Sequence, residues 1–351
     1  MGLDPEQRAD FYASTGWGGA SELPVGEDWS QRKIFRIKKK DKTAIVMHAV
    51  PDDDPRATPG HKLGDYIKIA DYLRSLELSA PEVFAQNLKG GLLLVEDFGD
   101  DSFSRLLGMG EGRTHDLYLI ATNALIHLHQ QARSKPIELP NFYDGHVYKG
   151  RRRIVDWYMP FARGQRNAEG LVEDYERIWK GIEKNLPSIP HQFQHIDFHP
   201  GNLMWLPERD HVQQVGILDF QGAMNGPVPY DLVNLLEDAR RIVSEPIRLE
   251  CLERFLKSLA EDERDAFAQW YPVIACQFHS RVIGQAIKLA LSGKTALLPL
   301  IPTLQRYMMR DLENETLKPL KDWFMRQNIT FGENCDVNRN AAERLIRPDA
   351  F

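Results

Sequence analysis

The stretch His195-Ile-Asp-Phe-His-Pro-Gly-Asn202, followed by an apolar run ending in Ile217-Leu-Asp-Phe220, decides how the rest of the 351-residue chain is read. Asp197 and Asn202 stand five residues apart. That spacing lets one loop aim a carboxylate at a hydroxyl while a side-chain amide offers oxygen to a divalent cation, as in the H-x-D-x-x-x-x-N loop of phosphoryl-transfer enzymes. Leu203–Leu206 and Val212–Leu218 read as two strands joined by the turn-rich Pro207-Glu-Arg-Asp210. Such a hairpin returns Asp219 to the side of Asn202.

A hydroxyl is too weakly acidic to ionise at neutral pH, so Asp197 is the candidate base that orients it and accepts its proton late. A triphosphate repels the nucleophile and the protein's own carboxylates until a hard cation bridges its oxygens. Asn202 and Asp219 are the candidate ligands of that ion, and ATP with Mg2+ is the expected cofactor pair. His195 is expected to brace the loop. Two other readings of these residues stay open here. One is a polar turn between core strands. The other is a zinc or di-metal hydrolase, because His195, Asp197 and His199 alternate on an extended segment with His191 just upstream.

Apolar residues at 42% and charged residues at 27% describe an ordinary soluble globular chain, long enough for two lobes, each with a core. A net charge of −6 with scattered basic residues gives no sign of nucleic acid as a partner. The one basic run, Lys149-Gly-Arg-Arg-Arg153, reads as a solvated face. Cys251, Cys276 and Cys335 are widely spaced, which argues against a disulfide framework or structural zinc. No signal peptide and no membrane-spanning run is legible, so the expectation is a cytoplasmic monomer or weak dimer acting on a small molecule.

Working outward, 4–15 reads as a helix, and Ala20–Pro24, Arg32–Lys38 and Thr43–Val50 read as strands around the loop Gly26-Glu-Asp-Trp-Ser30. Backbone N–H groups of such a loop, with Gly26 and the Ser30 hydroxyl, can lie over nucleotide phosphates, and a plain hairpin turn would look the same. The third strand carries Met47 and His48 where protein kinases place a phosphate-binding lysine. The following helix, from about 62 to 75, brings Asp65 and Asp71 but no glutamate. Arg36 or Lys38 is the candidate substitute clamp, and a decayed nucleotide site is the other reading. Leu92-Leu-Leu-Val-Glu-Asp-Phe-Gly99 suits a hinge whose Glu96 and Phe98 backbone groups meet an adenine edge.

Helices are expected at 114–133, 169–186, 232–243, 247–259, 262–292 and 300–328, with a polar tail after Thr330. Asp231, after the rigid turn Gly226-Pro-Val-Pro-Tyr, is placed to cap the 232–243 helix and brace the loop. The aromatic and acidic segment 138–164 is the candidate acceptor wall, with Asp144 and Trp157. Arg240, Arg241 and Arg281 could offer positive charge to an acidic substrate, or be plain ion-pair residues. The fold expectation is α+β: a protein-kinase-like two-lobed chain, with a small β-rich N-terminal nucleotide-binding lobe over 1–97 and a mainly helical catalytic and acceptor-binding lobe over 98–351.

The motif His195-x-Asp197-x-His199-Pro-Gly-Asn202 with Ile217-Leu-Asp-Phe220 resembles the aminoglycoside phosphotransferase and choline kinase family. Gly26–Arg36, Leu93–Asp100, Asp156-Trp-Tyr158, Asp219–Arg241 and Gly293-Lys294 look like its branch of bacterial anomeric amino-sugar kinases. The resemblance spans about residues 10 to 328. It implies ATP, magnesium, Asp197 as base, Asn202 and Asp219 as metal ligands, and phosphorylation of the 1-hydroxyl of N-acetylmuramate or N-acetylglucosamine in cell-wall recycling. The branch tends to lack the strand lysine. This chain departs from it in two places, with His48 after Met47 where an aspartate is expected and basic residues over 149–153 where an acid is expected. Kinases for choline, homoserine or an aminoglycoside, and a nucleotide-binding pseudokinase, are the alternatives.

Overall fold

The computed structural model describes residues 5–25, 32–57, 62–332 and 341–346. The chain divides into two compact units, Met1–Leu139 with His195–Met224 and Pro140–Gln194 with Asn225–Phe351.

In the first unit, α1 (Pro5–Ser14) leads into β1 (Ser21–Pro24), β2 (Lys33–Lys39), β3 (Lys42–His48), α2 (Leu63–Ser75), β4 (Val83–Asn87) and β5 (Leu92–Val95). The strands form one antiparallel sheet ordered β1-β2-β3-β5-β4. Alternation sets its faces. Phe35 pairs with Val46 and Ile37 with Ala44, all four buried. Ile37, Ala44, Val46, Leu92 and Leu94 receive Phe11 and Tyr12 of α1. Each large apolar side chain buried there is worth roughly 1.5–3 kcal/mol. Arg36 and Met47 therefore stand on the face opposite α1, while His48 turns toward it, its Nδ1 3.4 Å from Arg8 Nη1.

Next come α3 (Phe103–Gly108), capped by the Ser102 hydroxyl accepting from Arg105 N at 3.1 Å, and α4 (Thr114–Ser134). α4 is tied to α2 by His127, whose Nε2 donates to Leu76 O at 2.7 Å. The motif hairpin pairs Leu203–Trp205 with Val215–Ile217. Its second strand starts three residues later than expected, because His211–Gln214 winds into a 3₁₀ turn entered with His211 at φ 47°. Trp205 N donates to Asp101 O and Ile217 N to Ser79 O, each at 2.7 Å, so the hairpin is anchored from both sides.

The second unit is helical: α5 (Leu171–Lys184), α6 (Pro229–Leu236), α7 (Glu245–Ser258), α8 (Glu261–Leu291), α9 (Ile301–Asp311) and α10 (Lys318–Arg326). The strand His191–Gln194 delivers the chain to His195. Two helices differ from expectation. α6 begins at Pro229, with its φ already fit for a first turn, and ends at Leu236 rather than 243. Its next residue, Glu237, leaves helical geometry and is fully buried, held by Arg310 Nη2 at 2.5 Å and the Tyr271 hydroxyl at 3.0 Å. The helix expected over 300–328 is two, because Asn314 Oδ1 caps a turn and Pro319 opens a new helix. Among the described residues no helix is long and apolar enough to cross a membrane. The tail after Thr330 lies partly outside the described residues, as do Gly26, Ser30 and Cys335.

α8 packs so closely on the 153 backbone that a Cβ at Gly284 would sit 2.2 Å from the Arg153 carbonyl carbon and oxygen. Neither atom can swing aside. Gly284→Ala is therefore expected to cost about 3 kcal/mol or more, read as a fall of several degrees in thermal denaturation. Gly181→Ala on α5, where a Cβ meets nothing within 4 Å, is the control and should gain about 0.5–1 kcal/mol from helix propensity.

Candidate active site

The loop His195–Asn202 is held by hydrogen bonds within itself and to Leu218 at the end of the hairpin. His195 is buried and uses both ring nitrogens: Nδ1 accepts from Asp197 N at 3.2 Å and Nε2 donates to Leu218 O at 2.9 Å. Those partners require the neutral Nε2–H tautomer, and burial lowers the imidazole pKa in the same direction. His195 thus joins the loop to the strand end that carries Asp219. Ile196, a β-branched residue, adopts φ 80°, a strained value that persists only where neighbours enforce it.

His199 N donates to Asp197 O at 3.0 Å and Asn202 N to His199 O at 2.9 Å. The ring of His199 accepts from Gly201 N through Nδ1 at 3.0 Å. Asn202 Nδ2 donates to Asp197 O at 3.0 Å. Leu218 N donates to Asn202 O at 2.9 Å, so Asp219, the next residue, stands beside Asn202 as the hairpin reading required. Asp197 is exposed, and its carboxylate has no hydrogen-bond partner among the described residues.

Asp219 takes the left-handed conformation, φ 59°, which Asp tolerates better than most residues. Its Oδ1 accepts from Gln221 Nε2 at 2.7 Å and from Arg32 Nη2 at 3.2 Å. Tyr66 of α2 packs on the neighbouring Phe220, ring centroids 4.7 Å apart. An amide oxygen with its nitrogen already committed, next to a half-exposed carboxylate, is a hard-oxygen donor set of the kind magnesium takes. The zinc-hydrolase reading fails, because His195 has no ring nitrogen left and His199 spends Nδ1 inside the loop. The one buried His and acid cluster among the described residues, Glu237, His279 and Asp311, is an ion-pair tie. His279 Nδ1 lies 2.7 Å from Asp311 Oδ2 and its Nε2 3.4 Å from Glu237 Oε2, with Arg310 already on Glu237 as the cation.

The expected hinge residues are fixed from the hairpin side. Arg209 pairs with the Glu96 carboxylate and lies 5.0 Å over the Phe98 ring. Phe98 fits because Gly216 has no Cβ; one there would meet the ring at 2.7 Å. Glu96 N donates to Glu82 O at 2.8 Å, so its N–H is already spent inside the sheet edge. Arg36, a candidate phosphate clamp, instead straddles the hinge. Its Nε is 2.7 Å from Asp97 Oδ2, its Nη1 2.5 Å from Asp100 Oδ1, and its Nη2 donates to Gly99 O at 2.9 Å. Most of its donors are thereby spent.

Asp231 lies in the first turn of α6, fully buried, with its N–H donating to Gln194 Oε1 at 3.3 Å; it is not the helix cap. Asp144 is exposed in the 3₁₀ turn Phe142–Asp144. Trp157 is buried under Lys288 Nζ, 5.3 Å from its centroid. Arg240 is exposed and paired with Asp238 at 2.9 Å, the plain ion-pair role. Sequence reasoning missed Arg32 and Gln221. Gln221 was legible in principle from its place two residues after Asp219; Arg32, 187 residues away from its partner, carries no local signal.

A family model described as the phosphotransferase enzyme family matches residues 22–270. The N-acetylmuramate/N-acetylglucosamine kinase of Caulobacter vibrioides is 30% identical over 347 residues, covering 91% of this chain and 95% of that protein. Among solved structures, choline kinase from Cryptosporidium parvum superposes with a TM-score of 0.58 at 11% identity, covering 92% of this chain and 100% of its own. An ADP-bound aminoglycoside phosphotransferase reaches 0.55 at 15% identity, with 85% and 98% covered. These structural likenesses show a protein-kinase-like fold.

Proposed function

The chain belongs to the phosphotransferase enzyme family, and on that premise we propose that it transfers the γ-phosphoryl group of ATP, with magnesium, to the anomeric hydroxyl of N-acetylmuramate or N-acetylglucosamine. The observation that carries the chemistry is the Asn202 amide. Its nitrogen is fixed on the Asp197 carbonyl and its backbone on Leu218, so base and metal-binding oxygens are set by one loop. The acceptor rests on the likeness to the Caulobacter kinase over most of both chains.

Asp197 hydrogen-bonds the sugar hydroxyl and takes its proton as the bond to phosphorus forms. Asn202 Oδ1 and Asp219 would hold magnesium, which when bound would neutralise phosphate charge. His195, neutral, keeps Asp197 and the Asp219 strand in register. Transfer is direct and in line, with no phosphoenzyme, because no nucleophilic side chain is needed between donor and hydroxyl. His48 and Met47, where the kinase lysine would stand, leave the phosphate clamp to other cations, and Arg32, 3.2 Å from Asp219, is the candidate.

The test is ADP release with ATP and magnesium against N-acetylmuramate, N-acetylglucosamine, glucosamine, choline, homoserine and kanamycin, with phosphorus NMR of the product. Turnover with an N-acetyl sugar and an anomeric phosphate is the expected result. Turnover with choline, homoserine or kanamycin alone rejects the acceptor, and silence across the panel with nucleotide still bound rejects catalysis on these hydroxyls.

A further inference from the structure

Gln221 follows Asp219 by two residues and folds back onto it. The left-handed backbone of Asp219 starts a reversal that Ala223 N closes by donating to Phe220 O at 3.0 Å. Phe220, fully buried against Tyr66, anchors the turn. The side chain of Gln221 is 7% exposed, with Nε2 2.7 Å from Asp219 Oδ1. An ionised carboxylate can only accept, so the amide meets it through the NH2 group. The other end of the amide, Oε1, is buried with no hydrogen-bond partner among the described residues. An unpaired buried acceptor costs stability that an apolar side chain of the same size would spare. Such a residue is expected where it serves a site.

The hydrogen bond decides what Asp219 can offer a cation. Oδ1 accepts from Gln221 Nε2 and from Arg32 Nη2, while Oδ2 has no donor among the described residues. A cation that took both oxygens would displace the Gln221 amide, which is buried and already unpaired at Oε1, and leave it unpaired at both ends. One carboxylate oxygen is thus open and the other is held. Magnesium suits such a ligand, because it binds few protein oxygens and keeps several waters. Calcium takes more oxygens and often grips a carboxylate by both.

We infer that Gln221 is a positioning residue that keeps Asp219 Oδ1 out of the coordination sphere and so sets the preference of the site for magnesium over calcium. Hydrogen bonds from neighbours to a ligating carboxylate are a general means of tuning a metal site. The inference rests on the proposed metal role of Asp219 and is independent of the acceptor.

The test needs nucleotide binding alone. Dissociation constants for the magnesium and calcium complexes of a non-hydrolysable imido analogue of ATP are measured by calorimetry in the parent, Gln221→Met and Gln221→Glu. The parent should favour magnesium. In Gln221→Met the ratio of the calcium to the magnesium constant is expected to fall about tenfold. Gln221→Glu, which cannot donate and adds a second carboxylate, should lower it at least as far. A ratio taken within one protein is blind to general loosening, which weakens both complexes alike. Ratios within twofold of the parent in both variants, or a parent that binds both complexes equally, overturn the inference. Should Gln221→Met fail to melt cooperatively, Gln221→Glu carries the test; if neither variant folds, Gln221 is a structural residue and the inference falls. If no divalent cation alters analogue binding by the parent, the metal role of Asp219 has itself failed, whereas silence on every sugar with the ratios shifted as expected rejects the acceptor and keeps Gln221.

Discussion

Asp197→Asn is expected to lower kcat by about 10²–10⁴-fold while nucleotide affinity stays within about twofold of the parent, since its amide can neither accept the proton nor carry the charge that orients the hydroxyl. The loop should survive the change. Its hydrogen bonds run through the Asp197 backbone, whose N–H goes to His195 and whose carbonyl serves Asn202 and His199, and not through the carboxylate. The side chain is exposed and without a partner among the described residues, so no buried group is left unsatisfied. Steady-state ADP release and equilibrium nucleotide titration check both halves. Turnover within tenfold of the parent would remove Asp197 from the base role, and a matching loss of nucleotide binding would make it a structural residue.

That loop was legible from sequence because its parts lie within eight consecutive residues and most of its frame is local: His195 Nδ1, His199 and Asn202 Nδ2 bond backbone groups between two and five positions away, and only its ties to Leu218 reach further. Asp219 was legible because alternating apolar runs separated by turn residues imply a hairpin, and a hairpin fixes where its end returns. The first three strands were legible for the same reason, each lying within about two residues of its expected bounds. Side chains whose meaning is set by distant partners were not. Arg36 has the charge for a phosphate clamp, but Asp97 and Asp100 claim it. Arg32 is invisible until folding brings it to Asp219. The run at 149–153 reads as surface by composition, and only the change of helical winding sends Arg151 into the core and Arg153 onto Arg281. Helix ends failed where a buried charge, Glu237, outweighed an apolar period that continued past it.

Asp219→Ala and Asp219→Asn are both expected to lower kcat on the order of 10³-fold, the several kcal/mol that a metal-held phosphate oxygen supplies. The two replacements separate charge from backbone. Asp219 sits at φ 59°, where Asn is tolerated and Ala is strained; Ala should therefore add a stability loss of about 1 kcal/mol or more that Asn does not. Gln221 keeps its hydrogen bond in the Asn variant and loses it in the Ala variant. Equal losses of turnover with unequal melting temperatures would then assign the effect to the carboxylate. Binding gives a second, independent readout. In the parent, magnesium is expected to tighten nucleotide binding; in both variants that gain should vanish. Metal-free nucleotide binding should hold or improve, because Arg32 loses the carboxylate it faces at 3.2 Å and can turn its charge to phosphate. Asp219→Asn with turnover within tenfold of the parent at saturating magnesium would exclude this carboxylate as the metal ligand and leave Asn202 without its partner.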